Sequence, residues 1–576
     1  MYSKEFLEKN KALQKEWEKG ATEMAKGELP VKLNDSGIEI KSLYTPEDIK
    51  HLDHNDISVP GEFPFTRGIH HLLYQVNPLI MSQGFGFGTA DESRERRQFL
   101  KDMGARFQVG GPEDEDSAVY VLPCDLPTQR GYDPDEAQSR GKVGGGGVSI
   151  ATVDDFEGLF KGVDDIEKVL TLVISFDGVL TTTALWAAYM MDRRKEPVSK
   201  GFALGCNVFN HQWWSDSGAF PIEPAMKLSV EYMKWCVENT PLSYPMMFDS
   251  FNPHSAGGHA VHETTFDMSH IIAIIEESVK VGLDPDDVAP RCWGHIGFSL
   301  NFFEDIAKLR AMRRMWAEVM KERFGCKKKE SLKLNTLMAQ THGTELTAQE
   351  LPVNIVRTTA MAISAMLAGV DGLWIACYDE AVGIPTEEAA KVALRTYQVL
   401  GMETDIPDVT DPLGGSYYIE SLTDKIYQES KALMKKMDDL GGYYKCWESG
   451  FIKGEMQKNA NKRFMQLQNC EKVKVGTTIY QVEDIPEYEP FRVPEGVEEK
   501  AVERIKKYRE RRDPAKAGTA LAGVRRACER MDREWPDSCG CLMEALIEGA
   551  RSGLTLGEMN GIMREVFGCG YYADAR

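Results

Sequence analysis

In the run SFNPHSAGGH, from Ser250 to His259, an amide at Asn252 and an imidazole at His254 stand two residues apart, directly after an apolar segment ending at Asp249. Asn252 carries a neutral amide, which can both donate and accept hydrogen bonds. His254 is a titratable imidazole or a loop histidine satisfied by its neighbours. Two single charges stand elsewhere, Arg291 in APRCWGH and Glu380 in YDEAVGIPTE; on their own they suit a structural ion pair as well as a ligand. The four glycines from Gly144 to Gly147 are either a flexible loop or a place where backbone meets a ligand closely. The twelve cysteines are scattered, with only Cys539 and Cys541 close together and no second pair or nearby histidine to complete a zinc pattern. They read as reduced, mostly buried thiols, and no metal-ligating set is assigned.

Holding such groups in place requires a scaffold. From about Leu43 to Gly401, short β-branched or apolar runs alternate with longer amphipathic ones, the pattern of βα units around a parallel sheet. Strands are predicted at Ala118 to Leu122, Val169 to Ile174, Phe202 to Val208, Pro245 to Asp249, Leu332 to Met338 and Gly372 to Cys377. Helices are predicted at His259 to Val281, Phe302 to Phe324 and Asn354 to Leu367. In the second of these, Phe303, Ile306, Leu309, Met312 and Val319 fall near one face, with Lys308, Arg310 and Lys321 elsewhere. The rhythm fits an α/β fold of the (β/α)8 TIM-barrel type, with a doubly wound sheet as the rival. Function then belongs at the carboxyl ends of the strands, where Pro123 to Gly131, Phe251 to His259 and Thr341 to Gly343 fall.

Three regions follow: a polar, helical N-terminal arm over 1–42 that suits a partner subunit, a barrel over 43–411, and a charged helical extension over 412–576. The extension includes helical stretches at Asp424 to Met437 and Glu498 to Arg512, and a Pro-rich linker at Ile485 to Pro494. A net charge of −21 argues against nucleic acid, and any phosphate-bearing ligand needs local basic groups. No run is apolar and long enough to span a bilayer, and the charged start MYSKEFLEKN is unlike a secretory signal, so a cytoplasmic location is expected.

Several long blocks resemble the methylmalonyl-CoA mutase family: FPFTRGIHHLLYQVNPLIMSQGFGFGTA (Phe63 to Ala90), DLPTQRGYDPD (Asp125 to Asp135), EPAMKL (Glu223 to Leu228) and NFFEDIAKLRAMRRMWA (Asn301 to Ala317). ELTAQE with NIVRTT and DEAVGIPTEEAA into DPLGGSYYIESLT continue the match to Thr423. The resemblance implies an acyl-CoA-binding barrel and a radical carbon-skeleton rearrangement that depends on adenosylcobalamin. No Asp-x-His-x-x-Gly motif, which carries the lower cobalt ligand in that family, occurs here. The chain thus resembles a large subunit working with a separate small cobalamin-binding subunit. On the cofactor side the resemblance points to Cys124, Gly146, Gly343, Glu380 and Gly383, with Glu380 matching the acid that holds the adenosyl ribose. It sets Arg291 toward the thioester.

Departures cluster where substrate is expected. The family tyrosine after Met81 becomes Gly84, opening room for a bulkier acyl group unless Phe85 refills it. The arginine that grips the methylmalonyl carboxylate falls near Ser215, with no Arg from Gly201 to Leu228. A buried carboxylate without its cation costs several kcal/mol, so methylmalonyl-CoA itself is disfavoured. The carbonyl-polarising histidine aligns with Asn252 beside Phe251, leaving Asn252 or His254 to polarise the thioester; a glutamine position leaves only Asn207 nearby, and a CoA-side histidine becomes Met338. Family residues touching the CoA phosphates fall at Asn77 and Ser82, and a Phe107 to Ser117 insertion borders the pocket. With Trp293 and Trp374, the changes favour a larger, less polar acyl group such as an aryl- or long-alkyl-substituted succinyl- or malonyl-CoA, with a 2-hydroxyacyl or branched simple acyl group as the other option. The alternative is a non-catalytic scaffold subunit of a heteromeric mutase.

Overall fold

The computed structural model describes residues 2–29, 32–76, 79–81, 83–105, 118–164, 169–200, 208, 220–482, 488–489 and 491–569. The predicted strand at 202–208 lies, except for residue 208, outside the described residues, as does the 107–117 insertion.

Among the described residues, seven strands build the centre of the molecule: β1 (Ile80–Met81), β2 (Ala118–Pro123), β3 (Val169–Ile174), β4 (Met246–Asp249), β5 (Cys292–Phe298), β6 (Asn335–Thr341) and β7 (Gly372–Trp374). Five form one parallel sheet in the order β1, β7, β6, β5, β4, so the first strand lies beside the last. β2 and β3 pair in parallel, from Ala118 opposite Val169 to Pro123 opposite Ile174. A further parallel bridge, Gly84 to Val121, links the segment after β1 to β2. Apart from that pairing of first strand with last, neighbouring strands are consecutive in sequence wherever they are described.

β1 and β5 escape the sequence pattern. β5 reads CWGHIGF, in which two glycines and a histidine interrupt the apolar run, yet all seven residues are buried. β6 begins three residues later than predicted, since Leu332 closes a preceding turn.

Helices cover the outside of the sheet. The helix Phe302–Glu322 starts with Glu304 and Asp305 in its first turn, where the positive end of the helix dipole favours them. Its predicted one-sided burial is corrected by the structure: Phe303 is 44% exposed, while Lys308 and Arg310 are buried. The cause is a second layer, because the helix Tyr417–Asp439 packs on the side opposite the sheet. Arg310 then pairs with Asp411 at 2.8 Å and Glu420 at 2.6 Å. Lys308 donates to Glu263 at 2.5 Å, to Asp305 at 2.9 Å and to the Gly297 carbonyl at 2.7 Å. Buried cations of this kind persist only with such partners.

The N-terminal helix Lys4–Ala25 has no buried residue. Toward the C-terminus, Val497–Arg511, Pro514–Glu534, Cys541–Arg551 and Leu556–Phe567 form helices. Among the described residues no helix is long and apolar enough to cross a membrane.

Candidate functional site

A cavity of about 460 Å³ opens at the carboxyl ends of the strands. Gln83, Gly84 and Phe85 follow β1; Pro123 ends β2, and Cys124 follows it. Phe251 and Asn252 follow β4; His295, Met338 and Gln340 stand on β5 and β6; Trp374, Cys377 and Glu380 come from β7 and its loop. Phe87, Phe176, Met247, Ile384 and Phe491 make the rest of the wall mainly apolar. Of the residues singled out from sequence, the fold thus brings Gly84, Phe85, Cys124, Gly146, Phe251, Asn252, Met338 and Glu380 to one space.

One wall carries a fixed polar array. Asp249 at the end of β4 accepts hydrogen bonds from the Asn252 backbone N–H at 3.2 Å and from its side-chain amide. His295 Nδ1 lies 3.3 Å from Asp249 Oδ1, and its Nε2 meets Gln340 Oε1 at 3.0 Å. The parallel register sets Asp249 opposite His295, and His295 opposite Met338. Phe251 lies stacked over His295, with ring centroids 4.8 Å apart, and over His342 at 4.3 Å. One amide hydrogen of Asn252 is committed to Asp249, so the other is what remains for a ligand oxygen. His295 and Gln340 were not singled out from sequence. A signal for His295 was available: the helices before and after Arg291 need a strand between them in a strictly alternating βα chain.

The opposite wall is less constrained. Asp379 accepts from the Thr386 backbone N–H and hydroxyl, both at 2.9 Å, and from the Tyr488 hydroxyl at 2.5 Å, which pins the loop carrying Glu380. Burial first, and then the neighbouring Asp379, push the Glu380 carboxyl up to about 7. A side chain on Gly343 would come within 2.6 Å of the Glu380 carboxylate, so Gly343 gives that acid its room. Arg96, from the helix Ala90–Asp102, also lines this side, its guanidinium 5.2 Å from the Phe99 ring centroid.

The glycines divide into two kinds. Any Cβ on Gly147 would lie 2.1 Å from the Cys124 carbonyl carbon, and one on Gly144 would meet Val497 at 2.7 Å, so these two serve packing. Gly145 and Gly146 line the cavity; a Cβ on Gly146 would meet nothing within 4 Å, though its φ of +70° favours glycine. Gly84 corrects a simple expectation. The position does not add room, because the Trp374 ring fills the space a side chain there would take, at 2.6 Å from its Cβ. Phe85, expected as the refilling group, is 3% exposed and packs in the core.

Other sequence candidates lie elsewhere. His254 is buried outside this cavity, with Nδ1 2.9 Å from Glu263, Nε2 3.8 Å from Glu345 and its ring stacked on His342. Burial opposes its protonation, but Glu263 and Glu345 raise its pKa above the usual value. It borders instead a second, more open cleft of about 750 Å³ with Arg463 and Lys474. Arg291 sits just before β5, at the amino end of the sheet, where Nη1 donates to the carbonyls of Thr240 at 3.0 Å, Pro241 at 3.2 Å and Ser243 at 3.3 Å. It ties two loops together rather than facing the cavity. Gly383 is exposed in the loop after Glu380. Trp293 is wholly buried in the core. Asn77, Ser82, Asn207 and Ser215 lie outside the described residues.

The methylmalonyl-CoA mutase family model matches residues 33–569. The chain is 32% identical over 535 residues to the probable mitochondrial methylmalonyl-CoA mutase of Caenorhabditis elegans, covering 92% of this chain and 68% of that one. It is 30% identical to the 2-hydroxyisobutanoyl-CoA mutase large subunit of Aquincola tertiaricarbonis, covering 92% and 91% respectively. Mitochondrial methylmalonyl-CoA mutase of Mus musculus is 30% identical, over 98% of this chain and 73% of that protein.

Proposed function

The chain belongs to the methylmalonyl-CoA mutase family of adenosylcobalamin-dependent isomerases, and on that premise we propose that it is the large subunit of an acyl-CoA mutase. In this reading it works with a separate cobalamin-binding small subunit. The observation that carries the reading is the gathering of family-matched and substituted positions on one cavity at the strand carboxyl ends. We assign residues 43–411 to a closed (β/α)8 barrel. Pairing of the first strand with the last supports this, since a doubly wound sheet leaves its outer strands apart. Residues 1–42 form the arm toward a partner, and 412–576 the helical extension.

The residues at the cavity fit a flat corrin. Gly145 and Gly146 offer backbone without side chains, and Gly343 with Glu380 offers a carboxyl beside a side-chain-free position. When bound, adenosylcobalamin supplies the radical that starts the rearrangement. The chain's own residues then have three tasks. Asn252, oriented by Asp249, donates its remaining amide hydrogen to the thioester carbonyl oxygen, with His295 and Gln340 fixing that wall. Phe251, Met338 and Trp374 exclude water from the reacting carbons. Glu380, protonated over much of the range below about pH 7, holds a hydroxyl of the cofactor's ribose by donating or accepting a hydrogen bond.

The mainly apolar wall favours an acyl group less polar than methylmalonyl, such as an aryl- or alkyl-substituted succinyl or malonyl group. The test is reconstitution of the full chain with a small cobalamin-binding subunit and adenosylcobalamin, then exposure to a panel of CoA thioesters while cob(II)alamin absorbance is followed. Signal with one of the bulky thioesters supports the reading. No signal with any thioester, together with tight assembly onto a second, complete mutase chain, would establish the scaffold role instead.

A further inference from the structure

We propose that Arg96 is a specificity residue that pairs with a carboxylate on the acyl group, so that the substrate is a CoA thioester of a dicarboxylic acid; this rests on the acyl-CoA reading above. Arg96 lines the main cavity from the helix Ala90–Asp102, on the β7 side. That helix is held at its start by Thr89 and Glu92, which form a reciprocal capping pair. Its other arginines are engaged: Arg94 bonds Asp91 at 2.8 Å and the Gly158 carbonyl at 2.9 Å, and Arg97 donates to the Leu159 carbonyl at 2.9 Å. Arg96 makes no ion pair or hydrogen bond among the described residues, and its guanidinium lies 5.2 Å from the Phe99 ring centroid.

The nearby acids do not take it. Asp379 is occupied by Thr386 and Tyr488, and Glu387 is exposed to solvent. Glu380 shares the cavity but forms no ion pair among the described residues, and burial raises its pKa to about 7. Partial loss of water around the half-buried guanidinium works against its charge, with Cys377, Glu387 and Asp379 pulling the other way. A cation facing a mainly apolar cavity without a partner is costly unless an anion completes it, and a guanidinium suits a carboxylate in two-point contact. The contact would restore a carboxylate partner for an acyl group in a chain with no arginine between Gly201 and Leu228. The other anionic source is the phosphates of coenzyme A, and the experiment separates the two.

Calorimetric titration of the full chain would use benzylsuccinyl-CoA and butylsuccinyl-CoA, the neutral carboxamide analogue of each, and coenzyme A alone. Wild type is expected to bind the carboxylates about ten- to a hundred-fold more tightly than the carboxamides, the range of one charge-assisted pair. Arg96→Met should abolish that ratio, Arg96→Lys should keep part of it, and coenzyme A should bind all three proteins alike. The assignment is overturned if the ratio is near one in wild type or survives in Arg96→Met, or if Arg96→Met weakens coenzyme A as much as the thioesters, which marks a phosphate contact. If neither coenzyme A nor any thioester binds wild type, it is the acyl-CoA reading that fails.

Discussion

Two regions at the carboxyl ends of the strands handle charge in opposite ways. Around β4 and β5 the charges close on one another: Lys308 lies between Glu263 and Asp305, and Glu263 also meets His254. Burial by itself would raise the Glu263 carboxyl, but Lys308 and His254 pull it down to about 2. Around β7 and the helix Ala90–Asp102, Arg96 and Glu380 face a cavity without an ion pair among the described residues. A closed network stabilises the fold and is finished without a ligand; an open one has a net cost that a ligand can offset. The sequence candidates His254 and Arg291 fall in the finished class, and Glu380 in the open one.

The largest expected effect tests the finished side. Lys308→Met leaves Glu263 and Asp305 buried without their cation and should cost about 3–5 kcal/mol, read as a lower urea midpoint at unchanged slope. A loss under 1 kcal/mol would mean that this network is not what holds the outer helix layer. Next comes the exchange of volume on the open side: Gly84→Tyr alone should cost about 1–3 kcal/mol by overpacking against Trp374. Adding Trp374→Ala should recover most of that, so a double-mutant cycle with no coupling would refute the steric link. Gly146→Ala meets no atom and pays only for its left-handed backbone, about 1–2 kcal/mol. Gly147→Ala, driven into the Cys124 backbone, should be far more damaging, and equal melting temperatures for the two would contradict the division of the glycine run.

The smallest effect is a trend with pH. Glu380 has a raised pKa in the folded protein, so its contribution to stability is present below about 4.5 and is lost as pH rises through about 7. Glu380→Gln should therefore gain on wild type in melting temperature from pH 5 to pH 8. A difference that stays flat over that range would place the carboxyl in water rather than in the cavity wall.

Much of the scaffold was legible because alternation is a local property. The predicted strands at 118–122 and 169–174 and the helix at 259–281 fall within a few residues of the observed elements. β5 was not, since CWGHIGF has neither alternation nor a clean apolar run and is made a strand by neighbours on both sides. The burial of Lys308 and Arg310 was equally hidden, because a polar helix face signals water unless the sequence also discloses that Tyr417–Asp439 lies over it.

Residue identity and order by themselves determined the family and the alternating βα chain. Tertiary structure alone decided which of the remaining groups act together. It put Trp374 into the space beside Gly84, set Asp249 between Asn252 and His295, turned Arg291 to the far end of its strand, and left Arg96 facing a cavity. The physical reason is distance: a side chain's role depends on partners hundreds of residues away, and only the folded chain sets what lies within reach of a hydrogen bond.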